Sequence, residues 1–259
     1  MIEIQDLGFS YGIAPFIESV DTSFCDGSLT VIIGENGSGK STLLNLISGE
    51  LKAKTGNILI DGKNIKKFTR RRIARALSCF PQGRNVPDMT ALELVTLGRF
   101  AHIASTLATP KSEEEIAKSA LEYVGASHFA YANLKRMSYG ERQRIYLAMQ
   151  IAQNAKNCLL DEPTNFLDVG AKFSMMEVLV RMKNEGKCVV CVLHDLSLAL
   201  QYADRVILMK KGEIFADGTP AELYENGKIA EAFDITLERI VSNGEISYIA
   251  KPKQKAAWS

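Results

Sequence analysis

Gly34-Glu35-Asn36-Gly37-Ser38-Gly39-Lys40-Ser41-Thr42 is a phosphate-binding loop of the form G-x-x-x-x-G-K-[ST]. Its glycines let successive backbone N–H groups turn inward on a phosphate chain. Lys40 has the reach and charge for the β and γ phosphates, and the Ser41 hydroxyl suits Mg²⁺. The flanks fit as well. The apolar, β-branched run Leu29-Thr30-Val31-Ile32-Ile33 predicts a strand before the loop, and Ser41-Thr42-Leu43-Leu44-Asn45-Leu46-Ile47 predicts a helix after it. The N-terminus of that helix would face the phosphates with its positive dipole end. Strand, glycine loop and helix together predict a bound nucleotide.

The chain has 259 residues and a formal net charge of +1. That length holds a sizeable core, and the balanced charge argues against nucleic acid as a partner. Five cysteines, odd in number and scattered, argue against a secreted disulfide framework. Cys188 and Cys191 form a C-x-x-C, but within Lys187-Cys188-Val189-Val190-Cys191-Val192-Leu193, which reads as a buried strand. Residues three apart on a strand face opposite sides, so two small core residues are predicted there rather than a metal or redox pair. No apolar run approaches the roughly 18 residues that span a bilayer. Glu3 and Asp6 break the N-terminus where a signal peptide needs an apolar core, so a cytoplasmic chain is expected.

Residues 1–33 predict short strands with turns. Asn57-Ile58-Leu59-Ile60 before Asp61-Gly62 predicts a strand entering a tight turn. Arg70-Arg71-Arg72 opens a helix with a solvated basic face, and Leu77 to Gln82 is a strand cut off by Pro81. From about Thr90 to Ala155 the pattern is helical, with Ser112 and Glu115 spaced as a capping box. Strands and helices then alternate: Cys158-Leu159-Leu160, a helix near 170–184, Val189 to Leu193, a helix near 196–202, and a hairpin turning at Lys211-Gly212. Lys251 to Ser259 read as a frayed tail. The alternation predicts an α/β fold with a mainly parallel sheet and an inserted helical subdomain.

Cys158-Leu159-Leu160-Asp161-Glu162-Pro163 ends an apolar strand in two acids, at the carboxyl edge of a parallel sheet where ligands bind. Asp161 is placed to hold Mg²⁺, directly or through water, and Glu162 to polarise an attacking water. Taken alone, the pair is equally a strand end with two solvated acids. Met137-Ser138-Tyr139-Gly140-Glu141 leads into an amphipathic helix; a Ser, a Gly and a helix N-terminus together suit another phosphate, while alone the stretch reads as a helix cap. His194 follows a buried strand, whereas His102 and His128 read as surface residues.

In the order phosphate loop, Gln82, Ser138-Tyr139-Gly140-Glu141, Leu159-Leu160-Asp161-Glu162-Pro163, Asn165-Phe166-Leu167-Asp168, His194, the chain resembles the ATP-binding subunits of ABC transporters along nearly its whole length. The resemblance makes the loop a Walker A motif and Asp161 the end of Walker B. Gln82 becomes the Q-loop glutamine, Ser138 the start of the signature, Asp168 the close of the D-loop and His194 the switch histidine. Tyr11 sits where such proteins stack an aromatic on adenine, although strand packing explains it equally well. The signature departs from L-S-G-G-Q: Tyr139 replaces the first glycine and Glu141 the glutamine.

The resemblance implies a P-loop ABC ATPase with a mainly parallel core sheet, an N-terminal antiparallel β part and an inserted helical subdomain. It divides the chain into 1–86 and 156–225 as the two parts of the core, 87–155 as the helical subdomain with the signature, and 226–259 as a C-terminal extension. It further implies head-to-tail pairing with a second copy. ATP and Mg²⁺ then lie between Gly34, Asn36, Gly37, Ser38, Gly39, Lys40, Ser41 and Thr42 of one chain and Ser138, Gly140 and Glu141 of the other. Glu162 activates water, His194 positions it, and Ser41, Gln82 and Asp161 serve the metal. The helical subdomain engages transmembrane permease subunits near residues 83–105, a substrate-binding protein takes part indirectly, and the chain lies on the inner face of the membrane.

Val95-Thr96-Leu97-Gly98-Arg99 resembles the V-x-L-G-R stretch of importers for iron-siderophores, haem and cobalamin, and so do Leu193 to Ala199, Tyr202 to Arg205 and Glu231 to Asp234. The His-Gln that often follows the D-loop in that group is replaced by Val169-Gly170-Ala171-Lys172. The alternatives are an exporter ATPase and a soluble ABC ATPase such as an iron–sulfur assembly scaffold.

Overall fold

The computed structural model describes residues 1–80, 85–103, 110–242 and 244–253. Gln82 and Arg84 lie outside the described residues. The chain opens with β1 (Ile2–Phe9) and β2 (Ile17–Phe24), then β3 (Ser28–Gly34) and α1 (Lys40–Ser48), β4 (Thr55–Ile60) and β5 (Lys63–Asn64), α2 (Arg70–Ala76) and β6 (Leu77–Cys79). Three helices follow, α3 (Ala91–Leu97), α4 (Pro110–Tyr123) and α5 (Tyr139–Gln153). Next come β7 (Asn157–Asp161), α6 (Val169–Asn184), β8 (Cys188–Val192), α7 (Leu196–Tyr202), β9 (Arg205–Lys210) and β10 (Glu213–Gly218). The chain continues through α8 (Pro220–Glu225) and α9 (Lys228–Phe233) to a hairpin of β11 (Ile235–Ser242) and β12 (Glu245–Pro252).

The central sheet runs β10-β9-β3-β8-β7-β6, with β3 parallel to β8 and β9, and β7 parallel to β8 and β6. β10 is its antiparallel edge. A second sheet, β2-β1-β4-β5, is antiparallel. Alternating side chains of the central strands feed two cores. Leu29, Val31 and Ile33, with Cys158, Leu160, Val189 and Cys191, pack among α3 to α7. Ile32, Leu159, Cys188, Val190 and Val192 pack on α1 and the antiparallel sheet. Cys188 and Cys191 therefore do face opposite sides of the sheet. Both thiols are free and buried, and burial pushes Cys188 up to about 12 and Cys191 well above the usual thiol range.

The hairpin turns obey local chemistry. Asp61 and Gly62 both have positive φ, as do Lys211 and Gly212, which is the backbone of a type I′ turn. Four expectations change. α4 starts at Pro110, whose fixed φ suits a first turn, so Ser112 lies inside the helix and not at its cap. The frayed tail begins later, since Lys251 and Pro252 pair with Thr236 and Ile235. Arg71 is not merely solvated: its Nε donates to the Ala101 carbonyl at 3.0 Å, which also accepts from Arg75 Nε at 2.8 Å. Likewise His102 is half-buried, its Nε2 2.7 Å from the Gln153 carbonyl oxygen, while His128 is exposed.

The V-x-L-G-R stretch knits α3, α4 and α5 together. A Cβ on Gly98 would meet the Met149 carbonyl oxygen at 2.4 Å, so only glycine allows this approach of the backbones. Arg99 is buried, with Nε donating to Glu113 Oε2 at 2.6 Å and Nη1 to the Ala152 carbonyl at 2.9 Å. At the far end of α5, Gln150 and Gln153 donate to carbonyls of β6 and its neighbours, Ser78, Leu159, Ala74 and Leu77. These bonds tie the helical insert to the strand that leads towards Gln82.

Candidate functional site

β3 and α1 position the phosphate loop at the carboxyl edge of the parallel sheet. Gly34 has φ 152° and Gly39 φ 105°. A Cβ on Gly34 would fall 2.2 Å from the Met209 carbonyl oxygen, and one on Gly39 2.7 Å from Ile17 Cδ1. Both glycines are thus required by conformation and by space. Lys40 is 5% exposed, its ammonium donating to the Gly34 and Glu35 carbonyls at 2.8 and 3.0 Å. Burial lowers its pKa, opposed by the charges of Glu162 and Asp161. Among the described residues, the Ser38 hydroxyl is buried without a hydrogen-bond partner. A buried cation and a polar cradle that excludes side chains suit a bound polyphosphate.

β7 brings Asp161 beside this loop. Burial raises the carboxyl pKa, while a hydrogen bond to Ser41 lowers it. A hydroxyl and a carboxylate are hard oxygen donors of the kind Mg²⁺ takes, so the pair fits that ion. Glu162, the next residue, has φ 53°, a left-handed conformation that costs free energy in any non-glycine residue. Its carboxylate is shared: Oε1 hydrogen-bonds with His194 Nε2, and Oε2 accepts from Asn165 Nδ2. The structure therefore brings Lys40, Ser41, Asp161, Glu162 and His194 together. Asn165 went unnoticed as Glu162's partner; its position three residues on, across Pro163, is the signal that marks it.

Tyr11 is 65% exposed. Its ring packs edge-on against Phe9 and Phe16, with centroids 4.8 and 5.3 Å away, and its hydroxyl lies 2.9 Å from Thr42 Oγ1. The ring is both packed and reachable from the loop.

Asp168 caps α6, its Oδ1 accepting from the Ala171 N–H at 2.8 Å. Ser138 and Glu141 form a capping box at the start of α5. Glu141 Oε2 accepts from the Ser138 N–H at 2.7 Å, and the Ser138 hydroxyl accepts from the Glu141 N–H at 3.3 Å. The backbone N–H of Ser138 holds the Glu141 carboxyl below its usual range. Leu167 packs near Gly140, with Cδ2 3.4 Å from where a Cβ would stand. The signature thus touches the D-loop of its own chain.

Residues 17–165 match the sequence profile of the ABC transporter family. The chain is 35% identical over 234 residues to the petrobactin import ATP-binding protein FpuD of Bacillus anthracis, covering 90% of this chain and 86% of that one. It is 35% identical over 221 residues to the ferric enterobactin transport ATP-binding protein FepC of Escherichia coli K12, covering 85% and 82%. Among solved structures it is similar to a metal-chelate type ABC transporter in an inward-facing conformation, with TM-score 0.82 and 25% identity over 97% of this chain and 96% of that one. It is also similar to a dimeric ATP-binding cassette in a post-hydrolysis state with ADP and phosphate, with TM-score 0.77 and 26% identity over 85% and 99%. The motifs, the geometry at the sheet edge and these likenesses agree, and the chain belongs to the ABC transporter family as an ATP-binding subunit.

Proposed function

We propose that this chain is the ATP-hydrolysing motor of an importer for iron-siderophores, haem or cobalamin, acting as a head-to-tail dimer beneath permease subunits. The observation that carries the catalytic part is the placement of the Glu162–His194 pair beside Lys40 and the Ser41–Asp161 pair. In this reading Lys40, Ser41 and loop amides orient the phosphates. Glu162 accepts the proton of the attacking water, and His194 holds the carboxylate in place from its other side. Ser41, Asp161 and Gln82 would hold Mg²⁺, whose charge when bound offsets that of the phosphates. Catalysis by positioning and charge stabilisation suits phosphoryl transfer. Ser138 and Gly140 act on the phosphates of the second copy, which agrees with a signature presented at an exposed helix start beside the D-loop. Tyr11 offers its ring to the adenine.

The import part rests on what the relatives are named for and on the V-x-L-G-R stretch. No helix among the described residues is long and apolar enough to cross a membrane, so a membrane role is borrowed from partners. A groove of about 580 Å³ between α2 and the insert, lined by Arg71, Leu97, Phe100, Ile103 and Met149, supports permease docking, because Leu97, Phe100 and Ile103 are exposed there. Uptake of labelled ferric chelates should fall in cells lacking this chain and return with the wild type but not with Lys40→Ala. Unchanged uptake across a panel of siderophores, haem and cobalamin would refute the substrate class. A cysteine at Asn85 should cross-link to the permease on co-expression; an active complex in which only residues remote from 83–105 cross-link would refute the docking site.

A further inference from the structure

The basic run that opens α2 has no place in the proposed chemistry. Lys63 to Arg75 holds seven cations among thirteen residues and no acid, in a chain whose formal net charge is +1. All seven are exposed, and among the described residues none of them pairs with a carboxylate. The run lies between two grooves. On one side Arg70 and Arg71 border the groove proposed above for the permease. On the other is a groove of about 400 Å³ between the C-terminal end of α1, β4 and α2, which the ATP site does not use. Its floor is apolar and buried, made by Leu46, Ile58 and Ile65, and Leu51, Ala53 and Ile73 form half-buried walls. Gly49 ends α1 with φ 79° and puts no side chain into the space. Lys52 and Lys66 are the charged residues of the lining. Lys66 Nζ donates to the Gly56 carbonyl at 3.1 Å, which fixes its ammonium, and both lysines are exposed.

We propose that this groove takes one acyl chain of an anionic membrane lipid, with the lipid phosphate on Lys52 and Lys66 and neighbouring headgroups on the rest of the basic run. Two features select the occupant. Apolar walls favour hydrocarbon, and a charged lining of one sign favours an anion. The volume is of the size that holds small ligands. An acidic peptide would answer the charge and leave the apolar floor in water. A nucleic acid would need exposed rings on which bases stack. The run has one aromatic, Phe68, which is half-buried with the Arg72 guanidinium 4.0 Å from its ring centre. One buried acyl chain and a polybasic surface together attach a protein stably to a membrane, where a single chain alone is marginal. The proposal rests on the reading above only in placing the chain at a membrane. It gives the subunit a hold on the leaflet that is separate from the permease.

The test is flotation of the full chain on vesicles that contain no permease. Vesicles of phosphatidylcholine mixed with phosphatidylglycerol should carry the chain, phosphatidylcholine alone should not, and high salt should release it by screening. Lys52→Gln with Lys66→Gln should weaken vesicle binding about tenfold or more, at roughly fivefold per cation, with ATP affinity unchanged. Inorganic phosphate, which has no hydrocarbon, should not displace the vesicles. Leu51→Trp in a Trp258→Phe background puts one indole at the groove wall, and phosphatidylglycerol brominated along its acyl chains should quench it. Phe100→Asp, in the other groove, should leave flotation unchanged while it weakens co-purification with the permease, so the two surfaces fail separately. Equal flotation on both vesicle types, or bound vesicles that leave the indole unquenched, overturns the acyl site. Preference for a mixed-sequence oligonucleotide over the phosphatidylglycerol vesicles overturns it in favour of a nucleic acid. Absence of flotation overturns the membrane contact and leaves the importer reading, which uptake tests, standing.

Discussion

In the proposed mechanism the sheet edge and the helical insert carry the two halves of an ATP site by different physical means. At the edge, geometry is imposed by restriction: glycines with no room for a Cβ, Glu162 held in a left-handed conformation, and a buried lysine held by loop carbonyls. On the insert, the signature is an ordinary capped helix start, built like Thr90–Glu93 on α3 and Thr219–Glu222 on α8. On that proposal the first half binds within one chain, and the second is a presentation surface whose chemistry waits for another copy. Substitutions at the edge should therefore change chemistry or binding without unfolding, and substitutions in the insert should act through stability and assembly.

The largest expected effect separates the two steps at the edge. Glu162→Gln should keep ATP binding and lower phosphate release by about 10²–10⁴-fold, the usual cost of losing a general base. An amide still meets Asn165 and His194, so the shape survives. Wild-type turnover in a phosphate-release assay would break the assignment of Glu162 as the base.

The insert should instead fail through its buried ion pair. Both side chains of the Arg99–Glu113 pair are 11% exposed. Arg99→Met leaves Glu113 buried and unpaired, at a cost of about 3 kcal/mol or more. Denaturant titration should show that loss, and hydrogen exchange should localise it to α3 and α4. Adding Glu113→Leu should restore most of it, because an apolar pair of similar volume has no charge to bury. Nucleotide affinity should stay within about twofold of wild type, since binding belongs to the other half and distant sites act independently.

Lys40→Ala comes next. Its ammonium contributes charged hydrogen bonds, each about 1.5–3 kcal/mol, so ATP affinity should fall roughly tenfold to a hundredfold by calorimetry. Equal affinity would break the phosphate-loop reading.

Much of this division was legible in the residues. The phosphate loop, the strand ending at Asp161 and the buried Cys188–Val192 strand follow from local pattern, because a parallel strand covered on both faces reads as a continuous apolar run. Turn chemistry marked Asp61-Gly62 and Lys211-Gly212. The C-terminal hairpin escaped although Asn243-Gly244 is a strong turn dipeptide. Most of its described residues are exposed, so its alternation carried little apolar signal. The roles of Arg71 and Arg99 and the Tyr139–Phe166 contact were out of reach for another reason. Each partner lies across a loop or on another element, and only tertiary structure brings them together.

The smallest effect tests whether the signature is an ordinary cap until a second copy arrives. The hydrogen bond from Ser138 depresses the Glu141 carboxyl, as the hydrogen bonds from Thr90 and Thr219 depress Glu93 and Glu222. A depressed carboxyl stabilises the fold at any pH above the ordinary glutamate range, and that stability is lost as pH falls through the depressed value. Glutamine also closes a capping box, so Glu141→Gln should keep the helix start and remove only the charge. In the single chain it should cost a few tenths of a kcal/mol, since the carboxylate stands in water and its field is screened. The acid side of the pH–stability curve should flatten slightly in the variant, in the same direction as for Glu93→Gln. In the ATP-bound dimer the two substitutions should diverge, because the proposed head-to-tail arrangement sets Glu141, and not Glu93, near the second copy's nucleotide. If Glu141→Gln and Glu93→Gln stay alike in both dimer affinity and turnover, Glu141 is a cap and nothing more, and the role of the signature narrows to Ser138 and Gly140.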